Sequence, residues 1–216
     1  MGLPLIMKRN TFFAVLTGAL LFSACSEAPK ESKKETAPPP PPEPISGQSA
    51  FFKMYTAARG WAQDCEGLQM RSIQLPQVKA EPGKAGAWEA TFVSTRLSRA
   101  RRYTWSAVEA EGNLHKGVFA LNDEGWSGPR GATRSFSFQA LKIDTTAAFE
   151  TALKKGKGSA EYVKKNPGKT VQFLLELTPN RFPDLTWRVI WGESASNSNY
   201  SVFVDASTGQ YLETMR

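Results

Sequence analysis

The chain is poor in the residues that most often carry chemistry: 216 residues include one histidine, His115, and two cysteines, Cys25 and Cys65. A zinc site draws three or four nitrogen and sulfur ligands from close spacings, so no metal is expected. Asn122-Asp123-Glu124 is too short for a calcium loop. No G-x-S-x-G elbow is present, and the glycine-rich K-K-G-K-G and G-P-R-G segments lack the phosphate-loop form. No cofactor is therefore expected. No apolar run reaches the roughly 20 residues that a membrane-spanning helix needs.

The N-terminus is informative. Lys8 and Arg9 precede an uncharged run from Thr11 to Phe22, then the small residues Ser23 and Ala24, then Cys25. That is the layout of a secretory signal, with an apolar stretch too short to span a bilayer. Ordinary signal peptidase disfavours a cut after Ala24, because bulky Phe22 would stand third from the cut. The string L-L-F-S-A-C resembles a bacterial lipobox, with Phe22 where Leu is usual. The resemblance implies acylation of Cys25 and a mature N-terminus held on a lipid bilayer. Ser26 implies sorting to the outer membrane, facing the periplasm, if the source is Gram-negative. A plain signal cut just beyond Cys25 is the alternative.

Loss of Lys8 and Arg9 lowers the net charge from +7 to +5, mildly basic and no mark of a nucleic-acid binder. Residues 26–48, with five consecutive prolines from Pro38 to Pro42, have almost nothing to bury and read as an extended tether. At about 3 Å per residue they hold the rest up to roughly 60–70 Å from the lipid. With Cys25 lipidated, Cys65 has no partner, so the fold cannot rest on a disulfide; a buried, inert thiol is expected.

All six tryptophans lie beyond the tether. Apolar residues at three- and four-residue spacings predict a helix from Ser49 to Cys65, then a strand through Met70 that shifts face near Ser72, then two alternating runs over 88–92 and 102–108. The order returns after Asp144 or Thr145, either of which caps a second helix; strands follow at 170–177, 186–192 and 200–204. W-E-A-T-F at Trp88 matches W-R-V-I-W at Trp187, and V-E-A-E-G at Val108 matches V-D-A-S-T-G at Val204. Residues 112–138 read mainly as a joining loop, and 136–143 as an entering strand. The expected class is α+β: two tandem helix-strand-strand-strand units facing each other, with antiparallel sheet covered by helices. The divisions are 1–24 signal, 25–48 lipidated tether, 49–121 first unit, 122–142 connection and 143–216 second unit.

The second half resembles the PepSY domain, on I-D-T-T-A-A-F-E-T-A-L from Ile143, T-W-R-V-I-W from Thr186 and V-F-V-D-A-S-T-G-Q-Y-L from Val202. The resemblance implies a small extracytoplasmic, cystatin-like module that is not an enzyme and binds or restrains proteases or other envelope partners. Asp205 and Gly209 are expected to build a turn, the carboxylate accepting backbone N–H groups and the glycine taking a positive φ. Arg96, Arg99, Arg101 and Arg102, near Tyr103 and Trp105, form the densest basic cluster and a candidate site for an anionic polymer; a solvated strand corner explains them as well. A third reading makes the chain an envelope hydrolase with His115 as base.

Overall fold

The computed structural model describes residues 40–216, which form one contact unit. In chain order they give β1 (Ile45–Ser46), α1 (Gly47–Trp61), β2 (Glu66–Ile73), β3 (Lys84–Ala85), β4 (Ala87–Ser94), β5 (Arg99–Ser106), β6 (Gly117–Gly125), a 3-10 turn (Phe138–Ala140), α2 (Thr145–Lys155), α3 (Ser159–Lys165), β7 (Val171–Glu176), β8 (Thr186–Gly192), β9 (Ser198–Asp205) and β10 (Tyr211–Met215). Eight strands make one antiparallel sheet in the order β10-β9-β8-β7-β2-β4-β5-β6, and β1 pairs with β3 apart from it. The class is α+β.

The two halves do not face each other. They lie edge to edge, joined where β2 pairs antiparallel with β7, so that one sheet serves both. Ser72 stands opposite Trp88 and Leu175 opposite Trp187, which makes Ser72 the counterpart of Leu175. Arg71 pairs with Leu174, and Met70 with Leu175. A pseudo-two-fold axis therefore passes through the Arg71–Leu174 pair, and the cores of the two halves merge rather than oppose. Merging removes one exposed sheet edge from each half, the commonest liability of an isolated sheet.

The tryptophans at the matched positions explain the helix placement. Trp88 Nε1 donates to the carbonyl of Ile45 (3.1 Å) and Trp187 Nε1 to that of Ile143 (2.8 Å). Each carbonyl lies two residues before a helix, so each indole pins a helix start onto the second strand of its half and leaves no buried donor unpaired. The two rings meet edge-on at 6.4 Å across the junction. The helices share a cap. Asp144 Oδ1 accepts the N–H of Thr145 in its own helix (2.7 Å) and that of Gln48 in α1 (2.9 Å), while Thr145 Oγ1 accepts from Gly47 N (2.7 Å) and donates to the Gly83 carbonyl (2.5 Å). Ser46, at the N-cap of α1, takes no backbone N–H of the helix; its hydroxyl donates to that of Ser49 (3.0 Å). Two positive helix ends thus converge on one carboxylate. Gly47 has no room for a side chain, since a Cβ there would come within 2.7 Å of Thr145 Cγ2 and 2.8 Å of the Trp187 ring.

Several expectations change. Helix α1 ends at Trp61 because Ala62 turns extended, at φ −146°, and Cys65 lies beyond it, buried. The irregularity in β2 falls between Gly67 and Gln69, not at Ser72. Residues 117–125, read as loop, form the edge strand β6; the expected boundary at 121/122 falls inside it. The segment 136–143 enters as one bridge, at Phe136, and a 3-10 turn instead of a strand. The repeat is also matched differently. Ala87 opposes Ser106 as Thr186 opposes Asp205, so the counterpart of Asp205 is Ser106, three residues before Glu109. Ser106 Oγ accepts Val108 N as Asp205 Oδ1 accepts Ser207 N, two versions of one turn made by different side chains.

Candidate functional site

Cys25, the expected lipid attachment point, lies outside the described residues. The Asp205 turn has the expected form: Oδ1 accepts from Ser207 N (2.7 Å) and Thr208 N (3.0 Å), Gly209 N returns to the Asp205 carbonyl, and Gly209 has φ +78°. This turn also fixes the entry to α2, because the Ala206 carbonyl accepts from Lys142 N and Ile143 N. Its chemistry is spent on backbone.

The four arginines do not converge. Arg96 sits in the β4–β5 hairpin, where Asp64 accepts its backbone N–H (2.9 Å). The carboxyl of Asp64 is held below its usual range chiefly by that N–H, helped by the Ser94 hydroxyl. Arg99 begins β5 and is exposed. Consecutive strand residues point to opposite faces, so Arg101 and Arg102 part. Arg101, opposite Phe92, lies over the Trp61 ring at 5.4 Å and beside Asp123, while Arg102, opposite Thr91, lies between Glu89 and Glu124. His115 Nδ1 contacts Glu109 Oε2 (3.0 Å), and its ring packs on Phe119. No hydroxyl or thiol is hydrogen-bonded to it among the described residues.

One concave site is a cavity of about 630 Å³ beside α2. Its apolar side is Leu75, Val78, Phe149 and Phe173; its rim carries Lys79, Lys84, Lys169 and a single acid, Glu81. Lys84 Nζ is paired with Glu81 at 2.7 Å, which raises its pKa. Lys79 and Lys169 are exposed and have no ion pair within the described residues. An anion with an apolar body matches this lining. The loop P-Q-V-K-A-E-P-G-K reads in sequence as a plain connection; only its passage beside Phe149, 70 residues later, makes a wall of it. Cys65, buried outside the cavity, has its thiol pKa pushed up by burial.

No group of three or more metal-ligating side chains occurs among the described residues, and no helix among them is long and apolar enough to cross a membrane. No known protein family and no curated protein matches the chain. A crystal structure from Clostridium difficile 630, of a candidate lipoprotein, is similar at 11% identity over 77% of this chain and 91% of that one, with a TM-score of 0.44. That likeness is too slight to define function.

Proposed function

We propose that this chain is a lipid-anchored protein of a bacterial envelope, tethered through acylated Cys25, whose PepSY-like body binds a partner without catalysing a reaction on it. The class of partner is an envelope protein, with a peptidase held in check as the leading case; the side is the periplasmic face of the outer membrane if the cell is Gram-negative. The lipobox resemblance and the proline-rich tether support the anchoring. The two matched halves, each a helix pinned by a tryptophan to antiparallel strands, support the family resemblance. The observation that carries the binding reading is the cavity with an apolar floor and a lysine rim.

Anchoring is tested by mass spectrometry of the protein purified from bacterial membranes, where Cys25 should carry the lipid mass and the new N-terminus should begin there. Partner binding is tested by photocrosslinking from Ala80 at the cavity rim. A crosslinked peptidase whose activity falls on adding the purified chain supports the proposal; free secretion with an unmodified Cys25 opposes it.

A further inference from the structure

The pseudo-two-fold axis makes a prediction about the cavity, because the counterpart of the cavity is already filled by the chain itself. With Ser72 matched to Leu175, Met70 maps onto Phe173; past the irregularity between Gly67 and Gln69, Gly67, opposite Phe92, maps onto Val171, opposite Trp191, and Glu66 maps onto Thr170. Ile45 and Ile143, each taken by its tryptophan, align the helices and place Phe51 over Phe149. Val171, Thr170, Phe173 and Phe149 all line the open cavity. Their counterparts line a groove in the first half, and there the segment Arg134–Phe138 lies in it.

That segment docks as an extended strand. Phe136 exchanges both backbone hydrogen bonds with Gly67 (2.9 and 2.7 Å), and Arg134 N donates to the Leu177 carbonyl (2.8 Å). The Phe136 ring, 3% exposed, stacks on Phe51 at 5.7 Å. Ser135 Oγ donates to Glu66 (2.6 Å). In the second half the corresponding backbone positions are Val171 and Gln74. Among the described residues the Gln74 main chain makes no bond. The Gln74 amide instead reaches across to the Val171 carbonyl (2.7 Å), a side chain standing where a peptide strand lies in the other half.

We propose, as a refinement of the binding reading above, that the open cavity takes an extended peptide carrying a large apolar side chain next to acidic residues. The apolar preference follows from Phe149 and Phe173, which replace the Phe51 floor and its neighbour Met70. Val171 occupies space that Gly67 leaves open, so the guest ring sits farther from the backbone than Phe136 does; the cavity volume accommodates that. The charge preference follows from Lys169 and Lys79 beside the open cavity, where the filled groove has Glu66. The resident segment brings Arg134 to a groove that has an acid, and the open groove has the opposite sign. Main-chain pairing gives affinity to such strand addition, and side-chain pockets give its selectivity.

Isothermal titration of the purified full chain with two peptides, acetyl-E-S-F-S-F-amide and acetyl-R-S-F-S-F-amide, tests this. The acidic peptide should bind one-to-one and at least about tenfold tighter than the basic one. Lys79→Glu with Lys169→Glu, both exposed positions, should reverse the order, and Ala80→Trp, an exposed rim residue, should abolish binding with unchanged thermal stability. Binding of neither peptide, no reversal by the charge swap, or binding undisturbed by Ala80→Trp would overturn the proposal, as would saturable binding of laurate in place of both peptides. These outcomes concern the groove alone. An anchored protein that captures its partner through another surface would fail here and still satisfy the mass and crosslinking tests.

Discussion

Replacing Asp144 by alanine removes one carboxylate from two helices at once. Its Oδ1 takes the Thr145 N–H at 2.7 Å and the Gln48 N–H at 2.9 Å. Loss of an N-cap acid costs about 1 kcal/mol per helix, within a range of about 0.5–2. Two helix starts are served, and the released N–H groups are partly buried, so Asp144→Ala should cost about 2–3 kcal/mol. Asp144→Asn keeps an acceptor but loses the charge that faces two dipole ends, each interaction being about 0.3–1 kcal/mol; about 1 kcal/mol is expected, shrinking as salt is added. Urea unfolding followed by tryptophan fluorescence reads both, because Trp88 and Trp187 lie at the junction. The same cap on α2 alone would give about 1 kcal/mol for alanine. A loss at or below that figure, or one independent of Thr145→Val in a double-mutant cycle, would refute the shared cap.

Other outcomes follow from the same geometry. Trp187→Phe leaves the Ile143 carbonyl without its donor and hollows the junction, and should lower stability by about 2–4 kcal/mol in the same urea assay. Gly209→Ala forces a side chain into φ +78° and should cost about 1–2 kcal/mol by thermal unfolding, a value Gly60→Ala, on an open helix face, should not approach. The folded pKa of Asp64 lies below its ordinary 3.8, so its contribution is present above that value and is lost as pH falls through the depressed one; Asp64→Asn should flatten the stability profile only on that acid limb. Cys65 should stay unreactive to a thiol reagent at neutral pH until urea unfolds the chain.

The parts of the fold governed by local chemistry were readable from the residues. Asp144 as a cap, the Asp205–Gly209 turn, the paired tryptophans and the strands around Trp187 each announce themselves within a few positions. What could not be read depends on contacts across the chain. Nothing near Ser106 says that it, rather than Glu109, takes the part of Asp205, since a hydroxyl and a carboxylate make the same turn and only strand register separates them. Strand β6 hides because its exposed Val118 and Phe119 blur the alternation that marks a half-buried strand. The arginine cluster is dense in sequence and divided in space, because strand alternation sends Arg101 and Arg102 to opposite faces. The cavity is the reverse case: Leu75, Lys79, Phe149 and Lys169 are scattered in sequence and adjacent in space.

The matched grooves can be told apart by amide NMR of the full chain on adding the acidic phenylalanine peptide. Shifts confined to Gln74–Lys79, Phe149 and Lys169–Phe173, with Phe51, Gly67 and Phe136 unmoved, are the predicted result. Shifts centred on Arg96–Arg102 or on His115, or none at saturating peptide, would contradict it.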